Sequence, residues 1–222
     1  MTFSIAARQD GRFGMAVSSS SPAVAARCVH LRPGVGAAAS QNVTDPRLGG
    51  RLLDRLASHG DADRALAEVG EGATDLDYRQ LTAVGATGPA AWFSGQRTLG
   101  THGGAVGPHS VAAGNMLVTS DLPSIMVEVF ESAAGELEER LLAALRAALD
   151  AGGEEGPVHS AGVAVVAPDV EWRVTDLRVD WSEAPIDQLT EAVRVWLPQR
   201  DDYVRRGLRP ATAPSYGVPG DL

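Results

Sequence analysis

The second residue of the chain is a threonine, directly after the initiator methionine, in "MTFSIAARQDGRFGMAVSSSS". A threonine hydroxyl is a poor nucleophile unless a base takes its proton. When threonine is itself the first residue, its own α-amine can be that base. An unperturbed α-amine titrates at about 7.7–8.0, so a free-base fraction exists near neutrality. Thr2 is small enough for a methionine aminopeptidase to remove Met1. The chemistry needs the amine held in a cleft by a strand, whereas chain termini are usually loose. Taken alone, Thr2 reads as the ordinary second residue of a chain that begins Met-Thr.

Other constellations are weaker. The sequence has no HExxH, CxxC, P-loop or GxSxG pattern. His30, His59, His102, His109 and His159 are nowhere paired at i,i+4, so no preformed metal site is expected. "GVGAAA" at 34–39 loosely fits a dinucleotide fingerprint, but Asp45–Pro46 follows too soon for the helix that would hold a pyrophosphate. Gly34 and Gly36 read as turn glycines. His109–Ser110 and His159–Ser160 are strand neighbours whose side chains point to opposite faces, so neither is a ready base and nucleophile. No metal and no organic cofactor is expected.

The elements that must position Thr2 follow from periodicity. "TFSIAAR" alternates Phe3, Ile5 and Ala7 against Thr2, Ser4 and Ala6, and Asp10–Gly11 is a hairpin turn into "FGMAVSSSS". "RCVHL" and "VGAAASQN" form a second hairpin. Asp45 caps a helix that starts at Pro46, carries Leu48, Leu52, Leu53 and Leu56 on one face, and ends at Gly60. Asp61 caps a second helix that ends near Gly70. "YRQLTAVGATG" and "AAWFSG" read as another hairpin, and "HSVAAGNML" as a strand running into a loop. Residues 121–150 read as two helices, the second with a stripe of Leu137, Leu141, Leu145 and Leu149 and a Glu136–Arg140 pair. "HSAGVAVVAP" and "WRVTDLRVD" are strands, and Pro185 starts a last helix with Ile186, Leu189, Val193 and Trp196 on one face.

This order implies an α+β fold, a four-layer αββα sandwich of two mostly antiparallel sheets. A single sheet with helices on one side is the alternative. One domain over 1–206 and a loosely held tail over 207–222 are expected, since the tail is rich in proline and glycine.

The 222 residues carry a formal net charge of −9, which repels phosphate backbones and argues against a nucleic-acid partner. All 19 basic residues are arginine, so no lysine is present to act as base or phosphate ligand. This reads as the trace of a GC-rich coding sequence. There is no apolar run long enough for a membrane span. The start lacks the basic-then-apolar pattern of a secretory signal. Cys28 is the only cysteine, so no intrachain disulfide can form, which fits a cytoplasmic address.

The segments "TFSIAAR", "GMAVSSSSPAVAARC", "RPGVGAAASQNVTDPRLGGRLLDRL", "GNML", "GGEEGPVHSA" and "DLRVD", in that order, resemble the family called domain of unknown function 1028. Its members resemble N-terminal-nucleophile (Ntn) hydrolases. The resemblance covers roughly residues 2–195. It implies the four-layer sandwich and a nucleophile directly after Met1, here Thr2.

By analogy with proteasome-type members, the second strand ends beside the nucleophile's amine. That brings Ser18, Ser19 and Ser20 near Thr2, with Ser18 and Ser20 sharing one face. They read equally well as a polar strand end with no task. Gln41 and Asn42 end the fourth strand and are candidate amide donors to a developing oxyanion or to substrate, or simply a polar turn. Asn115 in "GNML" is the other donor candidate. Asp176, Arg178 and Asp180 read as a structural ion-pair strand. The chain departs from the pattern in lacking the proteasome's catalytic lysine, and in carrying Ser20 where many family members have a basic residue.

The expected function is therefore hydrolysis of a C–N bond in a small-molecule amide, imide or lactam. Thr2, Asn115 and Gln41 would be catalytic, and Ser18, Ser20 and Asn42 would contact substrate. A homo-oligomer is expected. The other readings are a hydrolase-fold protein without catalysis that binds a small molecule, and an oligomeric structural subunit.

Overall fold

The computed structural model describes residues 1–218. The expected tail extends to residue 222, and residues 219–222 lie outside the described part.

Ten strands and six α-helices follow one another along the described residues. β1 (Thr2–Gln9) and β2 (Arg12–Ser19) form the opening hairpin. Its turn residues, Asp10 and Gly11, have φ of 50° and 77°, the left-handed pair that a tight right-twisting hairpin requires. α1 (Val24–Cys28), β3 (Val29–Arg32) and β4 (Gly36–Asn42) come next. α2 (Pro46–His59) and α3 (Ala62–Glu71) precede β5 (Arg79–Gly85), β6 (Ala91–Ser94), β7 (Gly103–Val106) and β8 (Ser110–Asn115). α4 (Leu122–Ser132), α5 (Leu137–Asp150), β9 (Ser160–Val166), β10 (Arg173–Val179) and α6 (Pro185–Leu208) complete the order.

The strands build two sheets, one in the order β10-β9-β2-β1-β8-β7 and one in the order β3-β4-β5-β6, with every neighbouring pair antiparallel. Three buried clusters define four layers. Phe3, Ile5 and Ala7 of β1 pack with Met126, Phe130, Leu141 and Leu145 under α4 and α5, joined by Ile186, Leu189 and Val193 of α6. Ala6, Met15, Val17, Ala37, Ala39 and Val84 fill the space between the sheets. Leu48, Leu52, Leu53 and Leu56 of α2 pack with Ala65 and Val69 of α3 on the outer face of the smaller sheet. This is the αββα sandwich that element order and resemblance both imply, and the single-sheet alternative falls. Among the described residues no helix is long and apolar enough to cross a membrane.

Asp45 caps α2 by accepting from the Arg47 backbone N–H, and Asp61 caps α3 in the same way through Arg64. Two elements carry no local sequence signal, and one expected pair is not made. α1 has five residues, too few for a helical period to register, and β7 reads "GGAV", which carries no alternation. The expected Glu136–Arg140 pair is absent because each side chain finds a tertiary partner. The Glu136 carboxylate pairs with Arg12 and Arg200, and Arg140 donates to the Phe130 carbonyl and lies 4.2 Å from that ring's centroid. The described part of the tail folds back along α6, where Arg206 donates to the Pro214 and Ser215 carbonyls and stacks against Tyr216.

Candidate active site

β1 lies inside the larger sheet with β2 on one side and β8 on the other. It is paired from its first residue, since Thr2 faces Asn115 and Phe3 faces Ser18 and Gly114. Strand partners on both sides hold Thr2 and keep this end from fraying. Its side chain points into the gap between the sheets, on the face shared by Ser4 and Ala6.

The register also decides which serine meets Thr2. Phe3 pairs with Ser18, so the next residue, Ser19, stands across from Thr2. The Thr2 hydroxyl lies 3.4 Å from Ser19 Oγ. Alternation does put Ser18 and Ser20 on one face together, but it is the other face. Ser18 is buried and donates to the Ser160 carbonyl, and Ser20 is half-buried beside Glu154.

Ser19 belongs to a chain of hydroxyls. Arg27 donates to Ser21 Oγ at 2.6 Å, Ser21 Oγ is 2.8 Å from Ser19 Oγ, and Ser19 Oγ donates to the Met1 carbonyl at 2.5 Å. The Thr2 hydroxyl donates to that same carbonyl oxygen at 2.5 Å. A guanidinium thus stands two hydroxyls away from the atom beside Thr2, in a protein that has no lysine. Met1 covers this arrangement and leaves Thr2 5% exposed.

The amide residues divide the work differently from the sequence expectation. Gln41 is fully buried, accepts from Ser4 Oγ and donates to Gln80 Oε1 and the Ala113 carbonyl. Both its N–H groups are taken, so it ties the sheets together and has no donor left for an oxyanion. Asn42 has φ of 71°, donates to the Tyr78 carbonyl and accepts from the Leu99 N–H. It braces a loop, and both ends of its amide are engaged there. Asn115 donates one N–H to Gln80 Oε1, while its Oδ1 is buried without a partner. It stands directly across from Thr2 in the β1–β8 pairing.

Glu154 is the residue the sequence did not single out. It follows Gly153 and pairs with Leu117 in an isolated bridge just beyond β8. It is 3% exposed, and its carboxylate oxygens meet only Ser20, which stands near without a well-formed hydrogen bond. Burial pushes its carboxyl up to about 7, partly opposed by the positive chain N-terminus and by Ser20. A strongly perturbed acid beside a chain terminus marks a functional candidate. In "GGEEG" it is indistinguishable from Glu155, which is exposed. Only the bridge to Leu117 turns one of the two acids inward.

A cleft of about 660 Å³ lies at the opposite end of the strands, around the β1–β2 turn. Its two arginines are engaged. Arg8 donates to the Gly85, Gly88 and Pro108 carbonyls, and Arg140 to Phe130 and Gln9. Among the described residues no group of three His, Cys, Asp or Glu side chains could hold a metal ion.

The chain resembles known proteins to different degrees. A crystal structure of a protein from Silicibacter pomeroyi is 30% identical over 92% of this chain and 94% of that one, with a TM-score of 0.83. Eukaryotic HslV from Trypanosoma brucei is 14% identical over 75% of this chain and 99% of its own, with a TM-score of 0.47. Anbu from a Hyphomicrobium strain is 10% identical over 97% and 100%, with a TM-score of 0.45. No curated protein matches the chain in sequence. The model of the family of unknown function DUF1028 matches residues 2–189, and that Silicibacter protein carries the same family model. The chain belongs to the DUF1028 family.

Proposed function

We propose that the chain, once Met1 is removed, is an Ntn amidohydrolase acting on the C–N bond of a small-molecule amide, imide or lactam. One observation supports this reading most strongly. The carbonyl already attached beside Thr2 receives two hydroxyl donors, from Thr2 and from Ser19. An acyl group next to the nucleophile therefore meets a donor where negative charge would develop.

The steps follow from that geometry. The Thr2 amine takes the hydroxyl proton while Thr2 Oγ bonds to the substrate carbonyl carbon. Ser19 Oγ, with the second N–H of Asn115, stabilises the oxyanion. The amine then gives its proton to the leaving nitrogen as the C–N bond breaks. A water molecule, deprotonated by the same amine, cleaves the ester, releases the acid and restores Thr2. Arg27 polarises Ser19 through Ser21. Ser20 lies at the rim with Glu154, whereas Ser18 has no part. No metal or organic cofactor enters. The same reading has the protein as a cytoplasmic homo-oligomer.

Intact mass of the native protein should show loss of Met1. Thr2→Ala should lower turnover of amides on the order of 10³-fold or more. Ser19→Ala should lower kcat about 10²–10³-fold with little change in KM, as removal of an oxyanion donor does. Retention of Met1, or full activity of Thr2→Ala, overturns the mechanism. Retained Met1 would favour the second reading, a small-molecule-binding or oligomeric structural protein without catalysis, because Met1 leaves Thr2 buried.

A further inference from the structure

Met1 fills the space beside the nucleophile, and its contacts describe what that space accepts. Its carbonyl takes the Ser19 and Thr2 hydroxyls. Its thioether lies over Gly156, where an added Cβ would come within 3.2 Å of the methyl carbon and 3.7 Å of the sulfur. Its α-amine acts electrostatically on Glu154. The groups that face Glu154 can be named element by element. They are the amine at the start of β1, Ser20 after β2, the Leu117 backbone after β8, and on its own loop the exposed Glu155, whose N–H goes to the Met116 carbonyl.

An acyl group on Thr2 Oγ and one on Thr2 N are related through a five-membered ring. An acyl group carried by Oγ therefore occupies much of the volume that Met1 fills. Removing Met1 takes away its ammonium and leaves the chain's terminal amine on Thr2, one residue further along. In the chain that keeps Met1 that carboxylate is 3% exposed with no well-formed hydrogen bond to either oxygen, so the space Met1 vacates adjoins an acid in want of a cation or donor.

We propose that the space released by Met1 is a subsite for an acyl group bearing a free amine, so that the substrate is an α-aminoacyl amide with its ammonium on Glu154, its carbonyl on Ser19 and its side chain along Gly156. This rests on the reading of Thr2 as nucleophile. Glu154 is then a specificity residue. Gly156 leaves room for an unbranched chain of methionine's length, which a β-carbon at that position would crowd.

Binding separates this proposal from the chemistry. Thr2→Ala protein, shown by intact mass to lack Met1, is titrated calorimetrically at pH 7 with L-methioninamide and with N-acetyl-L-methioninamide. Methioninamide should bind at least 10-fold more tightly than its acetylated form. Glu154→Gln in the same background should weaken methioninamide at least 10-fold and leave the acetylated ligand unchanged. Methioninamide affinity should fall as the solution is made acid, because the carboxylate it needs becomes protonated. Equal affinity for the two ligands, binding of neither, or no effect of Glu154→Gln overturns the subsite. The acetylated ligand tests the charge requirement without any change at Glu154, so the result does not hinge on the variant's folding. An active enzyme that hydrolyses amides with no preference for a free amine would refute the subsite and leave the Thr2 mechanism standing.

Discussion

The carboxyls of Glu154 and Asp45 are shifted in opposite directions, and each shift has a consequence for stability. Burial raises the Glu154 carboxyl from its ordinary 4.5 to about 7. A raised carboxyl binds its proton more tightly in the folded state, so its contribution is full below the ordinary value and is lost as pH rises through about 7. The shift corresponds to about 3 kcal/mol at most. In protein that retains Met1, urea midpoints should therefore fall between pH 5 and pH 8, and Glu154→Gln should flatten that slope. Asp45 is pulled from 3.8 to about 2, chiefly by its hydrogen bond to the Arg47 side chain. Its contribution is present above its ordinary value and is lost as pH falls toward 2.

At the scale of elements, α2 shows how local signals and packing combine. Its cap is local, since Asp45 accepts from Arg47 N–H at 3.0 Å and Pro46 opens the helix. Asp45→Ala should lower unfolding free energy by about 1 kcal/mol, measured by denaturant titration. Its inner face is tertiary. A Cβ at Gly49 would stand 2.0 Å from the His30 ring of β3, so Gly49→Ala should destabilise by roughly 1–3 kcal/mol despite alanine's better helix propensity. β7 marks the other limit. Its Gly104 lies under Trp92 of β6, where an added Cβ would come within 2.3 Å of the indole, so the strand is shaped by contact and carries no period of its own.

For the whole molecule, the layers are joined by polar contacts as well as by apolar cores. Arg200 of α6 is 4% exposed and donates to Glu138 of α5, which is fully buried, and Glu138 also accepts from Thr175 of β10. Arg200→Met should destabilise by about 3–5 kcal/mol, because it leaves Glu138 buried and unpaired. Adding Glu138→Leu should recover most of that loss in the same thermal or denaturant melts. Between the sheets the corresponding link is the Ser4 hydroxyl with the amides of Gln41, Gln80 and Asn115.

Much of this architecture was legible because it rests on interactions near in sequence. Asp10–Gly11, the Asp45 and Asp61 caps, the leucine spacings of α2 and α5, and the alternation of β1 each announce an element, and their order yields the αββα layering. Thr2 stood out for the same reason, as a residue type at a chain position. The surroundings of Thr2 were not legible, because they depend on register and on contacts across layers. A two-residue period pairs Ser18 with Ser20 but does not say which face meets the gap between sheets; the Phe3–Ser18 pairing assigns that face to Ser19. Composition cannot tell a free amide from one with both N–H groups taken, which separates Asn115 from Gln41. Nor can it tell Glu154 from Glu155. Burial there comes from a bridge to Leu117, a residue far away along the chain, and desolvation acts only once the tertiary structure has closed around the side chain.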